Sequence, residues 1–145
     1  MFGAPPEEQA TSGEKRYLIL RGAGVDVLCE GGTLVTIFLH CLPPPGYAPF
    51  RGDVRPGQPL PADQAGMRRA LGAPRVAEEE QPIYLDHDQS GWAVPRRQIG
   101  TVPPFDRYEG EGHVLHCGYV SGTDRRLRML TLMPAGYRPS YPSDE

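Results

Sequence analysis

Glycine and proline punctuate this chain densely: eighteen glycines and seventeen prolines make up 35 of its 145 residues. Glycine loses backbone entropy in a helix and proline removes an amide donor, so this composition disfavours a bundle of long helices. With 39% hydrophobic and 23% charged residues the chain is nevertheless globular in balance. Its length suits one domain, and a domain of this size buries roughly two-thirds of its unfolded surface without needing disulfide staples. A transmembrane protein, a coiled coil and a collagen-like fibre are excluded. The division expected from composition is an N-terminal arm over 1–15, rich in Pro, Glu, Gly and Ser, one α+β domain over 16–134, and a polar C-terminal tail over 135–145.

Apolar alternation marks two hairpins. In the first, strands Tyr17–Leu20, Val25–Cys29 and Leu34–Cys41 follow one another, with Glu30-Gly31-Gly32 as the tight turn between the last two. Val35, Ile37, Leu39 and Cys41 then share one face of the third strand, and Leu34, Thr36, Phe38 and His40 the other. The second hairpin runs Val114–Val120, turn Ser121-Gly122-Thr123-Asp124, and Leu127–Met133. Gly22-Ala23-Gly24 and Gly110-Glu111-Gly112 open the two hairpins, and Cys29 and Cys117 each follow the last of those glycines by five positions, a faint sign of duplication. Between them, Pro43-Pro44-Pro45 ends the first sheet region as a connector. One helix is expected over Asp63–Leu71, capped by Asp63 and stopped by Gly72 and Pro74. Its Met67, Ala70 and Leu71 form an inward stripe, and Arg68 and Arg69 read as a solvated helix end. Residues 75–112 read as mostly irregular, with short strands at Ile83–Leu85 and after Trp92.

The net charge of −3 leaves no concentrated excess of Lys and Arg, so nucleic acid and membrane surfaces are not the expected partners. Three cysteines (Cys29, Cys41, Cys117) cannot all pair within one chain, and the first residues show neither a basic start nor an apolar run. The expectation is reduced thiols in a cytoplasmic protein. Arg51-Gly52-Asp53 matches a cell-adhesion tripeptide, but three residues recur easily by chance.

Candidate chemistry is sparse. Asp86-His87-Asp88 sets an imidazole between two carboxylates, a pattern that serves acid/base work or a divalent metal but that an acidic loop also produces. His113 and His116 would point to opposite faces of a strand, which argues against a shared zinc. No phosphate-binding glycine loop, nucleophile elbow or peptidase pattern is present. No catalytic residue, metal ligand or cofactor is therefore assigned. Charge patterning says more: residues 76–112 carry eight acids against three arginines, interleaved with Tyr84, Trp92, Phe105 and Tyr108. Acidic charge with aromatic anchors has the makeup of a protein-binding surface; a solvated loop whose aromatics turn inward is the competing account.

The helix end Met67-Arg68-Arg69-Ala70-Leu71-Gly72-Ala73-Pro74, then Phe105-Asp106-Arg107-Tyr108, the strand Val114–Val120 and the closing Met129-Leu130-Thr131-Leu132-Met133 resemble small bacterial proteins encoded beside secreted polymorphic toxins, which act as immunity proteins. More distantly, the helix, Leu-Gly-x-Pro and hairpin pattern is similar to small lipoproteins of the SmpA/OmlA type and to the tandem-repeat beta-lactamase inhibitor fold. The resemblance implies a non-enzymatic cytoplasmic blocker of a cognate protein toxin, with Asp86, Asp88, Trp92, Glu109 and Glu111 at the contact and a basic target suited to that charge. The alternatives are an adaptor or chaperone for a secreted effector, and a small metal-dependent enzyme built around His87, His113 and His116.

Overall fold

A computed structural model describes residues 8–87 and 93–136. In chain order the elements are β1 (Glu8–Ser12), β2 (Lys15–Leu20), β3 (Val25–Glu30), β4 (Thr33–His40), β5 (Asp53–Arg55), β6 (Gln58–Pro59), helix α1 (Gln64–Leu71), β7 (Val76–Glu78), β8 (Gln81–His87), β9 (Ala93–Val102), β10 (Phe105–Gly110), β11 (His113–Tyr119) and β12 (Leu127–Pro134). Eight strands form one antiparallel sheet in the order β1-β2-β3-β4-β12-β11-β10-β7. The remaining four make two separate ribbons, β5-β6 and β8-β9. The expected α+β character is thus realised as a predominantly antiparallel sheet with a single described α-helix.

Both hairpins form where alternation placed them. Gly31 and Gly32 take positive φ (57° and 83°), the conformation a tight two-residue turn needs and that residues with a Cβ resist. The sheet is built from two three-strand meanders, β2-β3-β4 and β10-β11-β12, joined by antiparallel pairing of β4 with β12, with Leu130 opposite Leu39 and Leu132 opposite Ile37. The two meanders meet at β4 and β12 in mirrored strand order, and Cys29 and Cys117 are each the fifth residue of a middle strand. The glycine-cysteine echo in the sequence therefore has a topological counterpart.

One face of the sheet carries the core. Met67 of α1 is fully buried against Cys117, Tyr119, Leu127 and Leu130, with Leu60 and Leu71 beside them. Phe50 packs on the neighbouring cluster of Leu20, Val25 and Val27, so α1 and the long connection after β4 cover this side. At Gly24 that connection comes so close that a Cβ would lie 2.5 Å from the Ala48 carbonyl oxygen and 2.6 Å from the Phe50 nitrogen, and φ there is +70°. Only glycine fits. On the opposite face, register and alternation place Tyr17, Leu28, Thr36, Phe38, Thr131, Val114 and His116. Leu28, Thr36, Val114 and Thr131 are buried there among larger neighbours.

Two expectations differ from the structure. Residues 8–12, expected within a loose arm, form edge strand β1, because β2 offers its free backbone ladder and pairing needs no apolar pattern. Residues 75–112 are mostly strand. Pro82 and Pro95 argue against a central strand, but β8 and β9 pair only with each other, and an edge strand tolerates proline.

Candidate functional site

The β8-β9 ribbon is the most distinctive surface feature. Its register runs from Gln81 opposite Val102 to His87 opposite Ala93, with irregularities after Ile83 and after Leu85. Four of the six large apolar side chains exposed among the described residues lie on it: Ile83, Tyr84, Ile99 and Val102, with Ile99 the most exposed at 56%. Cross-strand pairing puts Ile83 and Val102 on one face of the ribbon, and Gly100 opposite Ile83 leaves that side chain uncovered by a partner. Packed ribbons turn such residues inward; this one presents them. Its root is fastened to the β11-β12 loop, where Arg125 bridges Glu79 at 2.8 Å and Glu80 at 3.3 Å, and Glu80 also accepts from the Gly122 amide.

The residues expected at a partner contact belong to different elements. Asp86 is on β8, near the distal end of the ribbon, while Asp88 and Trp92 lie outside the described residues. Glu109 and Glu111 are exposed at the β10-β11 turn. Strand β10 starts at Phe105, beside the ribbon's root, and runs toward that turn, so about 17 Å of strand separates root and turn. Glu109 is also engaged, 3.6 Å from Arg107 Nε and 3.9 Å from Arg75 Nε. The acids at the root are instead Glu78, Glu79 and Glu80.

Other polar clusters have structural explanations. Asp106 is fully buried; its carboxylate accepts from Arg68 Nε at 2.9 Å, from the second Arg68 nitrogen at 2.7 Å and from the Tyr119 hydroxyl at 3.2 Å. Arg68, expected at a solvated helix end, thus fastens α1 to β10 and β11, and its hydrogen bond to Asp106 holds the guanidinium above its ordinary value. Arg69 is exposed, as expected. Burial raises the Cys41 thiol to about 11 and the Cys117 thiol to about 12, the latter with help from nearby Asp106, so neither is a thiolate at neutral pH.

Sequence reading missed one arrangement. At the end of the sheet Asp26 Oδ2 lies 3.0 Å from His40 Nε2, and the Tyr47 hydroxyl donates to the same carboxylate at 2.8 Å. The residues are 14 and 21 positions apart, so no motif marks them. An Asp-His pair can move a proton, and the Tyr47 ring also packs on His40, at a centroid distance of 4.9 Å. Of the histidines of the enzyme alternative, His116 stacks on Phe105 at 4.5 Å and His113 Nδ1 sits 3.0 Å from the Glu111 carbonyl oxygen, while His87 is the last residue of β8. No group of three or more metal-ligating side chains occurs among the described residues, and no described helix is long and apolar enough to cross a membrane. Comparison with known protein families, curated proteins and solved structures finds no match to this chain.

Proposed function

We propose that this chain is a binding protein that neutralises a cognate bacterial toxin by direct contact, with the β8-β9 ribbon as the contact. One observation carries the reading: a two-stranded arm that pairs with itself and presents Ile83, Tyr84, Ile99 and Val102 to solvent. Such a patch loses its exposed apolar area on docking, which is where binding energy concentrates. Acidic residues lie along the ribbon's sequence, Glu78 to Glu80 at its root and Asp86 on β8 near its other end, which suits a basic partner and speeds its encounter. The immunity assignment comes from the sequence resemblance; an adaptor or chaperone would use the same surface but leave its partner active.

The test is co-expression with the product of any toxin-bearing reading frame that adjoins this gene. The expected result is co-purification of the two products and loss of toxin activity, with Ile83→Asp plus Ile99→Asp abolishing both while thermal unfolding of the free protein stays unchanged. Asp86→Lys with Asp88→Lys is expected to slow association and flatten its salt dependence. Full neutralisation by the folded Ile83→Asp, Ile99→Asp protein would remove the ribbon from the proposal. A partner that stays active in the complex would replace the immunity reading with the adaptor.

A further inference from the structure

A second site is carried by the sheet face opposite α1, on strands β10, β11 and β12. Arg107 and His116 are direct cross-strand neighbours there. The Arg128 guanidinium reaches the same place: one of its nitrogens lies 3.8 Å from the position a Cβ on Gly118 would occupy, and Gly118 is two residues along β11 from His116 on the same face. Phe105 stacks on the imidazole at 4.5 Å with an interplanar angle of 27°, fixing the ring in place. Thr131, buried, stands directly across from His116 on β12.

Three features of this cluster bear on an anionic ligand. Arg107 Nε is buried and has no hydrogen-bond acceptor, the sole such side-chain atom among the described residues. The Glu109 carboxylate is 3.6 Å away, too far to accept from it, and is shared with Arg75. Arg128 forms no ion pair among the described residues, and burial first, with the charges of Arg107 and Arg128 added, holds the His116 imidazole below its ordinary value. The side chain of Arg107 is 38% exposed as a whole, so an incoming group can reach its outer nitrogens.

We infer that Arg107, Arg128 and His116 form an oxyanion-binding site whose ligand is a phosphate or carboxylate group. Two guanidinium groups supply charge-assisted donors in the fork geometry such groups accept, and an anion at the outer Arg107 nitrogens and Arg128 would add to the charge compensation that Glu109 gives from the Arg107 side. Protonated His116 adds a third donor, so binding and protonation of the ring reinforce each other.

The test follows His116 by NMR of the ring-labelled full chain, titrated with inorganic phosphate and separately with acetate at constant ionic strength. The expected result is a saturable shift of the His116 signals by at least one of the two, with an upward move of its titration midpoint. Arg128→Gln and Arg107→Gln each weaken the affinity by about tenfold or more. Saturation by phosphate alone identifies a tetrahedral dianion; saturation by acetate as well identifies a carboxylate, whether free or on a protein side chain. A linear, non-saturating response to both anions, the same in the parent and the Arg128→Gln protein, overturns the site.

Discussion

Asp106 has no exposure to solvent, and a lone carboxylate in that position would be neutralised or would unfold its surroundings. Arg68 is what permits it, with Tyr119 supplying a third hydrogen bond. Removing Arg68 leaves the buried charge with Tyr119 and the long 3.5 Å contact to Gln64. Arg68→Ala is therefore expected to cost about 3 kcal/mol, at the low end for a buried pair because the Arg68 side chain is 38% exposed, as measured by urea unfolding. Arg68→Lys is expected to recover only part of this, since an ammonium cannot reproduce the two-pronged geometry. His116 makes the pH prediction. Burial, with Arg107 and Arg128, holds its folded-state value below the ordinary 6.5. The unfolded chain then takes up this proton first, so stability from this group is complete above about pH 6.5 and falls as pH drops through the folded value. Thermal midpoints measured from neutral pH downward are expected to show that decline, and His116→Gln to flatten it. None of this was legible from sequence: Arg68 and Asp106 are 38 positions apart, and helical position alone gives an arginine at the end of a short helix no reason to turn inward.

At the scale of single elements the sequence spoke plainly wherever a local rule suffices. Helix α1 begins at Gln64 after Asp63, whose side chain accepts from the Gly66 amide at 2.8 Å, and ends at Gly72, whose φ is +87°. Asp63→Ala is expected to cost about 1 kcal/mol, read in the same urea experiment. Burial sets Cys117 apart from the surface in a way alkylation can measure: with its thiol at about 12 and its side chain in the core, it is expected to resist iodoacetamide at pH 8 until denaturant is added. Mass spectrometry of the labelled chain checks this. The ribbon was the least legible element. Its prolines and acids carry the marks of a loop, and its strands satisfy one another only because each lies opposite the other as an edge, a circumstance that composition does not encode.

Across the whole molecule, two meanders meet at β4 and β12, the helix and the post-β4 connection close one face, and the ribbon stands apart in its pairing. Substitutions on the ribbon and in the core should therefore be separable: Ile83→Asp with Ile99→Asp changes partner binding without moving the unfolding midpoint, whereas Arg68→Ala moves the midpoint while leaving the ribbon surface intact. Circular-dichroism melts alongside a pull-down distinguish these outcomes. The candidate contact was half legible for a similar reason. The sequence marked an acidic, aromatic stretch as a surface, but it could not show that Asp86 sits on the self-paired β8 while Glu109 sits on β10 of the main sheet. What the sequence determined alone was local: alternation set the hairpins, a capping carboxylate and a stop glycine set the helix, and Gly31-Gly32 set a turn, because each depends on residues within a few positions. The tertiary structure alone decided which charges are paired, which apolar side chains are left outside and which basic groups converge on His116. Those depend on contacts between strands far apart in the chain, where register and burial, and not composition, fix the distance.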